Sequence, residues 1–103
     1  MNPHSSMVAE RCIRLRKALG FDYHGGQIAF ARFLGVPVGS WNNVERGYPL
    51  SKSMAFKLMQ RCPGITTEWL WFGGAGGLSL RMAQLLGEVP AARNGTTDPS
   101  GAS

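Results

Sequence analysis

Acidic residues are scarce in this chain. Six Asp and Glu stand against eleven Lys and Arg in 103 residues, a formal net charge of +5. Cysteine is scarcer: Cys12 and Cys62 are the two present, and neither belongs to a C-x-x-C pair or to a spaced Cys/His cluster. That spacing argues against a disulfide framework or a structural zinc site as the source of stability. Both cysteines fall at apolar positions of helical patterns and are expected to be free, buried thiols. No apolar run approaches the roughly 20 residues that a membrane-spanning helix needs, and the polar start Met1 to Ser6 does not read as a targeting signal. A soluble, cytoplasmic protein with no membrane partner is expected. The two histidines, His4 and His24, lie far apart in polar segments, and the acids are scattered. No catalytic residue, metal ligand, cofactor motif or small-molecule substrate site stands out, so an enzyme is not expected. The glycines at 73, 74, 76 and 77 follow no strand and carry no phosphate-loop lysine, so they read as a hinge or linker.

What is present is helical periodicity. Hydrophobic residues make up 44% of the chain, an ordinary fraction for one globular domain. Val8, Cys12, Leu15 and Leu19 recur at helical spacing, so residues 7–19 read as an amphipathic helix with a basic outer face, ended by Gly20. Ile28, Phe30, Ala31 and Leu34 define a second helix over 27–34, stopped by Gly35. Pro37 pre-sets a third helix that runs to Arg46, with Trp41 and Val44 as its apolar pair. Ser51 caps a fourth over 52–61, with Met54, Ala55, Leu58 and Met59 inward. Thr66 caps a fifth reaching Phe72, and a last helix lies near 79–86. No segment alternates at period two, so no sheet is expected. The expected fold is all-α, with five to six short helices. The domain reading is a disordered N-terminus at 1–6, a binding domain at 7–72, a glycine-rich loop with a C-terminal helix at 73–86 as a dimerisation element, and a disordered tail at 87–103.

Charge is unevenly placed. From Arg11 to Arg61 nine Lys and Arg are opposed by Asp22 and Glu45 alone, so this stretch carries +7. A basic segment of that kind favours a polyanion through phosphate neutralisation and counterion release.

The informative stretch is QIAFARFLGVPVGSWNNVERG, Gln27 to Gly47. Two helices that cross closely need a small residue at the crossing, and Ala31 supplies one. A tight turn calls for glycine, and Gly35 stands four residues later. Trp41 and Val44 pin the third helix to the core, Trp41 as an anchor rather than a stacking platform. The opposite face then carries Val38, Gly39, Ser40, Asn42 and Asn43, which are small or polar. Asparagine can pair bidentately with adenine, valine can pack on a thymine methyl, and arginine suits phosphate.

In register from Gln27 to Gly47, this stretch resembles the lambda-repressor-like, Cro-type helix-turn-helix family of regulators, also called the xenobiotic-response-element family. The later segments PLS and PGIT-EWLWFG extend the resemblance over about residues 7–72. The resemblance implies a compact lambda-repressor-like domain that binds double-stranded DNA as a transcription regulator, most simply a repressor. It implies that the helix Val38–Arg46 enters the major groove, with Val38, Gly39 and Asn43 reading bases, and Asn42 on the same face is expected to join them. Gln27 and Arg46 would contact phosphate, and Gln27 would also buttress the recognition helix; Ser40 and Lys52 are expected to join them as phosphate contacts. Ala31, Gly35, Trp41 and Val44 would hold the motif together. Pro37 departs from the pattern by standing where a capping Ser or Thr is usual, and Gly39 departs by standing where a long polar reader is common. A homodimer on a near-palindromic site is expected, because one short helix reads few base pairs and because Trp69, Trp71, Phe72, Leu78, Leu80, Met82, Leu85 and Leu86 form a large apolar set late in the chain. The competing reading is an antitoxin-type module that binds a toxin and regulates its own operon.

Overall fold

The computed structural model describes residues 3–88. They form six α-helices and, among the described residues, no strand: α1 Pro3–Ala18, α2 Gly26–Leu34, α3 Val38–Glu45, α4 Lys52–Arg61, α5 Thr67–Phe72 and α6 Leu80–Leu85. The all-α expectation therefore holds. Side-chain oxygens set three of the helix starts: the hydroxyls of Ser51, Thr66 and Ser79 each accept a backbone N–H three residues on, from Met54, Trp69 and Met82, at 3.1 Å. These bonds satisfy donors that the first turn of a helix leaves unpaired. Pro37 caps α3 with an extended backbone and no side-chain bond.

One core joins the helices. α1 packs on α3 and α5, α2 on α3 and α4, and α4 on α5. Trp41, Trp69, Phe30, Leu15, Leu34, Leu58 and Leu70 are its largest fully buried side chains. Phe30 meets Trp41 edge-on, with ring centroids 4.9 Å apart, a favoured aromatic geometry. Cys12 and Cys62 are free and fully buried in the same cluster. Burial pushes both thiols up from 9.0 to about 12, and Glu45 adds to the shift at Cys12.

Four expectations change on contact with the structure. The segment 1–6 is not without structure from Pro3 onward, because α1 begins there and Ser5 is buried. Proline suits a first helical position, where its missing N–H leaves no bond unmade. At the other end, Gly87 and Glu88 are also placed: Glu88 bonds Arg14 and accepts the Trp69 indole N–H at 2.7 Å. The expectation for 89–103 lies outside the described residues. Ile28, expected inward, is 44% exposed, because the buried stripe of α2 runs through Phe30, Ala31 and Leu34, and Ile28 lies about 200° round the helix from Phe30. Met59 sits at the edge of the stripe of α4 and is likewise half exposed.

α6 belongs to the same core rather than standing apart from it. Met82, Ala83 and Leu86 are buried, and the Ser79 N–H donates to the Gly64 carbonyl at 3.2 Å. Leu80 and Leu85 remain exposed on its outer side.

Candidate nucleic-acid interface

α2 and α3 are joined by three residues, Gly35, Val36 and Pro37. The turn depends on Gly35, whose φ of +77° lies in the left-handed region that glycine enters at no steric cost. Its N–H and that of Val36 both donate to the Ala31 carbonyl, at 2.9 and 3.0 Å, and close the end of α2. Ala31 is fully buried, and its small side chain lets α2 and α3 approach. Trp41 and Val44 are buried on the inner side of α3. At about 100° per residue, Gly39 and Asn43 then lie opposite Trp41, with Arg46 beside them. Gly39, Ser40 and Arg46 are exposed, and Val38, Asn42 and Asn43 are half-buried.

Within that face the residues differ in what they can offer. Val38 packs partly on the core. The Oδ1 atom of Asn42 is buried and has no hydrogen-bond partner, so that oxygen is not presented to an incoming base. The bidentate grip on adenine needs both ends of the amide, which leaves Asn43 as the better placed of the two asparagines. At Gly39 an added Cβ would meet no protein atom within 4 Å, so the face is open there.

The underside of α3 is held by a carboxylate that composition alone makes look ordinary. Glu45 accepts from Arg16 Nε at 2.6 Å, from Arg16 Nη2 at 3.2 Å, from Gln27 Nε2 at 2.6 Å and from Trp41 Nε1 at 2.5 Å. The Arg16 and Glu45 side chains are only 9% and 4% exposed. Arg16 also donates to the Phe21 carbonyl at 2.6 Å. One buried ion pair thus ties α1, the loop before α2, the start of α2 and the end of α3 together. Gln27 is thereby tied to the end of α3 and remains exposed. Arg16 was not legible as a functional or structural residue. Its α1 position read as part of a basic outer face, and its partner is 29 residues away.

Lys17 of the basic stretch lies 4.0 Å from Asp22 on the surface, and the other eight cations divide in two. Arg11 donates to the Leu70 and Trp71 carbonyls, Arg61 to the Phe33 carbonyl, Arg14 pairs with Glu88, and Arg16 pairs with Glu45. Those four charges serve the fold. Arg32, Arg46, Lys52 and Lys57 are exposed and make no ion pair among the described residues. Lys52 opens α4, and Arg46 caps α3, so two of these free cations stand on the elements that flank or form the open face.

Among the described residues no group of three or more His, Cys, Asp or Glu could hold a metal ion, and no helix is long and apolar enough to cross a membrane. A groove of about 420 Å³ lies away from α3, between α1 and the end of α5, lined by Met7, Glu10, Arg11, Arg14, Gly73 and Glu88. Arg11, Arg14 and Glu88 are already bonded within the chain there. Compared with protein-family models, with curated proteins and with solved structures, the chain finds no match.

Proposed function

We propose that the protein is a sequence-specific DNA-binding transcription regulator of helix-turn-helix type, with α3 as the recognition helix in the major groove. The observation that carries this reading is the two-sided character of α3. Its inner side is fixed by buried Trp41 and Val44 and by the Glu45 carboxylate, while its outer side carries small and polar groups beside unpaired cations. A fixed helix with an uncluttered face suits close entry into a groove that admits one α-helix. Asn43 is the main base reader in this account, Gly39 and Ser40 allow close approach, and Arg46 and Lys52 contact phosphate. The small face also leaves room for readout of DNA shape.

A domain of this kind acts most simply as a repressor, in the cytoplasm, by occupying its site. Two copies on adjacent half-sites supply the specificity that one short helix lacks. Phe72, Leu80 and Leu85, which are 70%, 66% and 43% exposed, are available to such a pairing.

Fluorescence anisotropy with selected and random duplexes tests the assignment of roles. Asn43→Ala should weaken the selected site by about 1–3 kcal/mol and random DNA hardly at all. Arg46→Ala should weaken both alike, and should reduce the slope of log affinity against log salt by about 0.9. Equal losses on both duplexes for Asn43→Ala would remove it from the base-reading set. An affinity that is flat in salt would remove the phosphate contacts.

A further inference from the structure

We infer that Tyr48 is a positioning residue, whose ring holds the Arg46 guanidinium ready for a phosphodiester of duplex DNA; this rests on the DNA-binding reading of α3. Tyr48 lies just beyond the helix and is no part of the base-reading face, yet its place is set by the helix end. Arg46 is the C-cap, and its N–H donates to the Asn42 and Asn43 carbonyls at 3.0 and 3.2 Å. Gly47 follows with a φ of +98°. Its N–H donates to Val44 at 3.1 Å, and the Tyr48 N–H donates to Asn43 at 3.0 Å. Together these are the two bonds that close a helix through a left-handed glycine. Tyr48 is therefore tied to the last turn of α3 rather than carried on a free loop.

The cation lies over the ring. The Arg46 guanidinium carbon is 5.6 Å from the Tyr48 ring centroid, within cation–π reach. Among the described residues two other guanidinium groups lie over rings, Arg14 on Trp69 at 5.2 Å and Arg61 on Phe33 at 5.1 Å. Both of those are also bonded within the chain, to Glu88 and to the Phe33 carbonyl. Arg46 differs. Among the described residues its guanidinium makes no ion pair and no hydrogen bond, and the residue is exposed. Tyr48 is itself 45% exposed. Arginine normally loses much rotamer freedom when it binds, whereas a guanidinium already lying against a ring loses less and keeps its planar fork for two phosphate oxygens. The ring face does this work, so phenylalanine should serve as well as tyrosine.

The test uses the full chain, with Tyr48→Phe, Tyr48→Leu, Arg46→Ala and the double change Tyr48→Leu with Arg46→Ala. Affinity for the selected duplex should be unchanged in Tyr48→Phe and fall about three- to tenfold in Tyr48→Leu. With Arg46 already removed, Tyr48→Leu should have no further effect, since the two act as a unit. In the free protein, the Arg46 side-chain protons should show a ring-current NMR shift in wild type and Tyr48→Phe that disappears in Tyr48→Leu. An equal loss in Tyr48→Phe would assign the effect to the hydroxyl, and additive losses in the double variant would separate Tyr48 from Arg46; either overturns the inference. If wild type shows the ring-current shift but binds no duplex DNA, the DNA-binding reading has failed and not the stacking. If it binds DNA without that shift, the stacking has failed and not the DNA-binding reading.

Discussion

Glu45→Ala is expected to destabilise the fold by about 3–5 kcal/mol, the range typical of breaking a buried ion pair by removing one partner. The cause is what the carboxylate leaves behind. Arg16 is 9% exposed and would keep only the Phe21 carbonyl as acceptor. The Trp41 indole N–H, on a fully buried residue, would lose its acceptor too. For a domain of this size, 1 kcal/mol corresponds to roughly 4–8 °C in midpoint, so thermal unfolding should move down by more than about 12 °C. Replacing both partners together, Arg16→Met with Glu45→Leu, should cost less, because no uncompensated charge is left and what remains is chiefly the Trp41 indole N–H without its acceptor, about 1–3 kcal/mol. A loss below about 1 kcal/mol for Glu45→Ala would show that solvent reaches Arg16 and that the network is not a buried one.

The second large effect is expected in alkali. Both thiols have folded-state values raised from 9.0 to about 12 by burial. The folded state thus keeps its protons when the unfolded chain has lost them. Their contribution is complete below pH 9 and is lost as pH rises towards 12, because ionisation then favours the unfolded state. The slope is at most about 1.4 kcal/mol per pH unit for each thiol. Denaturant unfolding at half-unit steps from pH 8 upward should show stability falling from about pH 9. The Cys12→Ala, Cys62→Ala double variant should be less stable at neutral pH but follow a flatter slope above pH 9. The same slope in both proteins would show that lysine and tyrosine titration, not the buried thiols, governs alkaline unfolding.

Much of the fold was legible in local chemistry. Ser51 before an apolar stripe, with Pro63-Gly64 beyond it, marks both ends of α4 at Lys52 and Arg61. Thr66 and Ser79 mark the starts of α5 and α6 in the same way. The turn at Gly35 was legible because few residues other than glycine adopt its backbone. What local chemistry could not reveal are pairings across the chain. An arginine on an amphipathic helix reads as solvated, and nothing near Arg16 indicates Glu45. For the same reason the basic stretch read as one surface, although Arg11, Arg14, Arg16 and Arg61 are bonded within the chain. The start of α1 is not legible because the residues from Pro3 to Ser6 are polar or small and show no apolar period, although Ser5 is buried there. Within the candidate interface, periodicity separates the buried pair Trp41 and Val44 from the outer face of α3, whereas the DNA-contact roles, including those of Gln27 at the start of α2 and Lys52 at the start of α4, rest on the resemblance. The distinction between Asn42 and Asn43 depends on which amide oxygen the fold buries, and Tyr48 depends on how the chain leaves α3.

Selection from a random duplex pool tests the central claim most directly, run in parallel with wild type and Asn43→Ala. Wild type should enrich a near-palindromic sequence whose half-sites are centred about 34 Å apart, and Asn43→Ala should lose that enrichment while still retaining duplex at low salt. A pool that stays random with wild type, or the same sequence enriched equally by both proteins, would contradict the assignment of α3 as the helix that reads DNA.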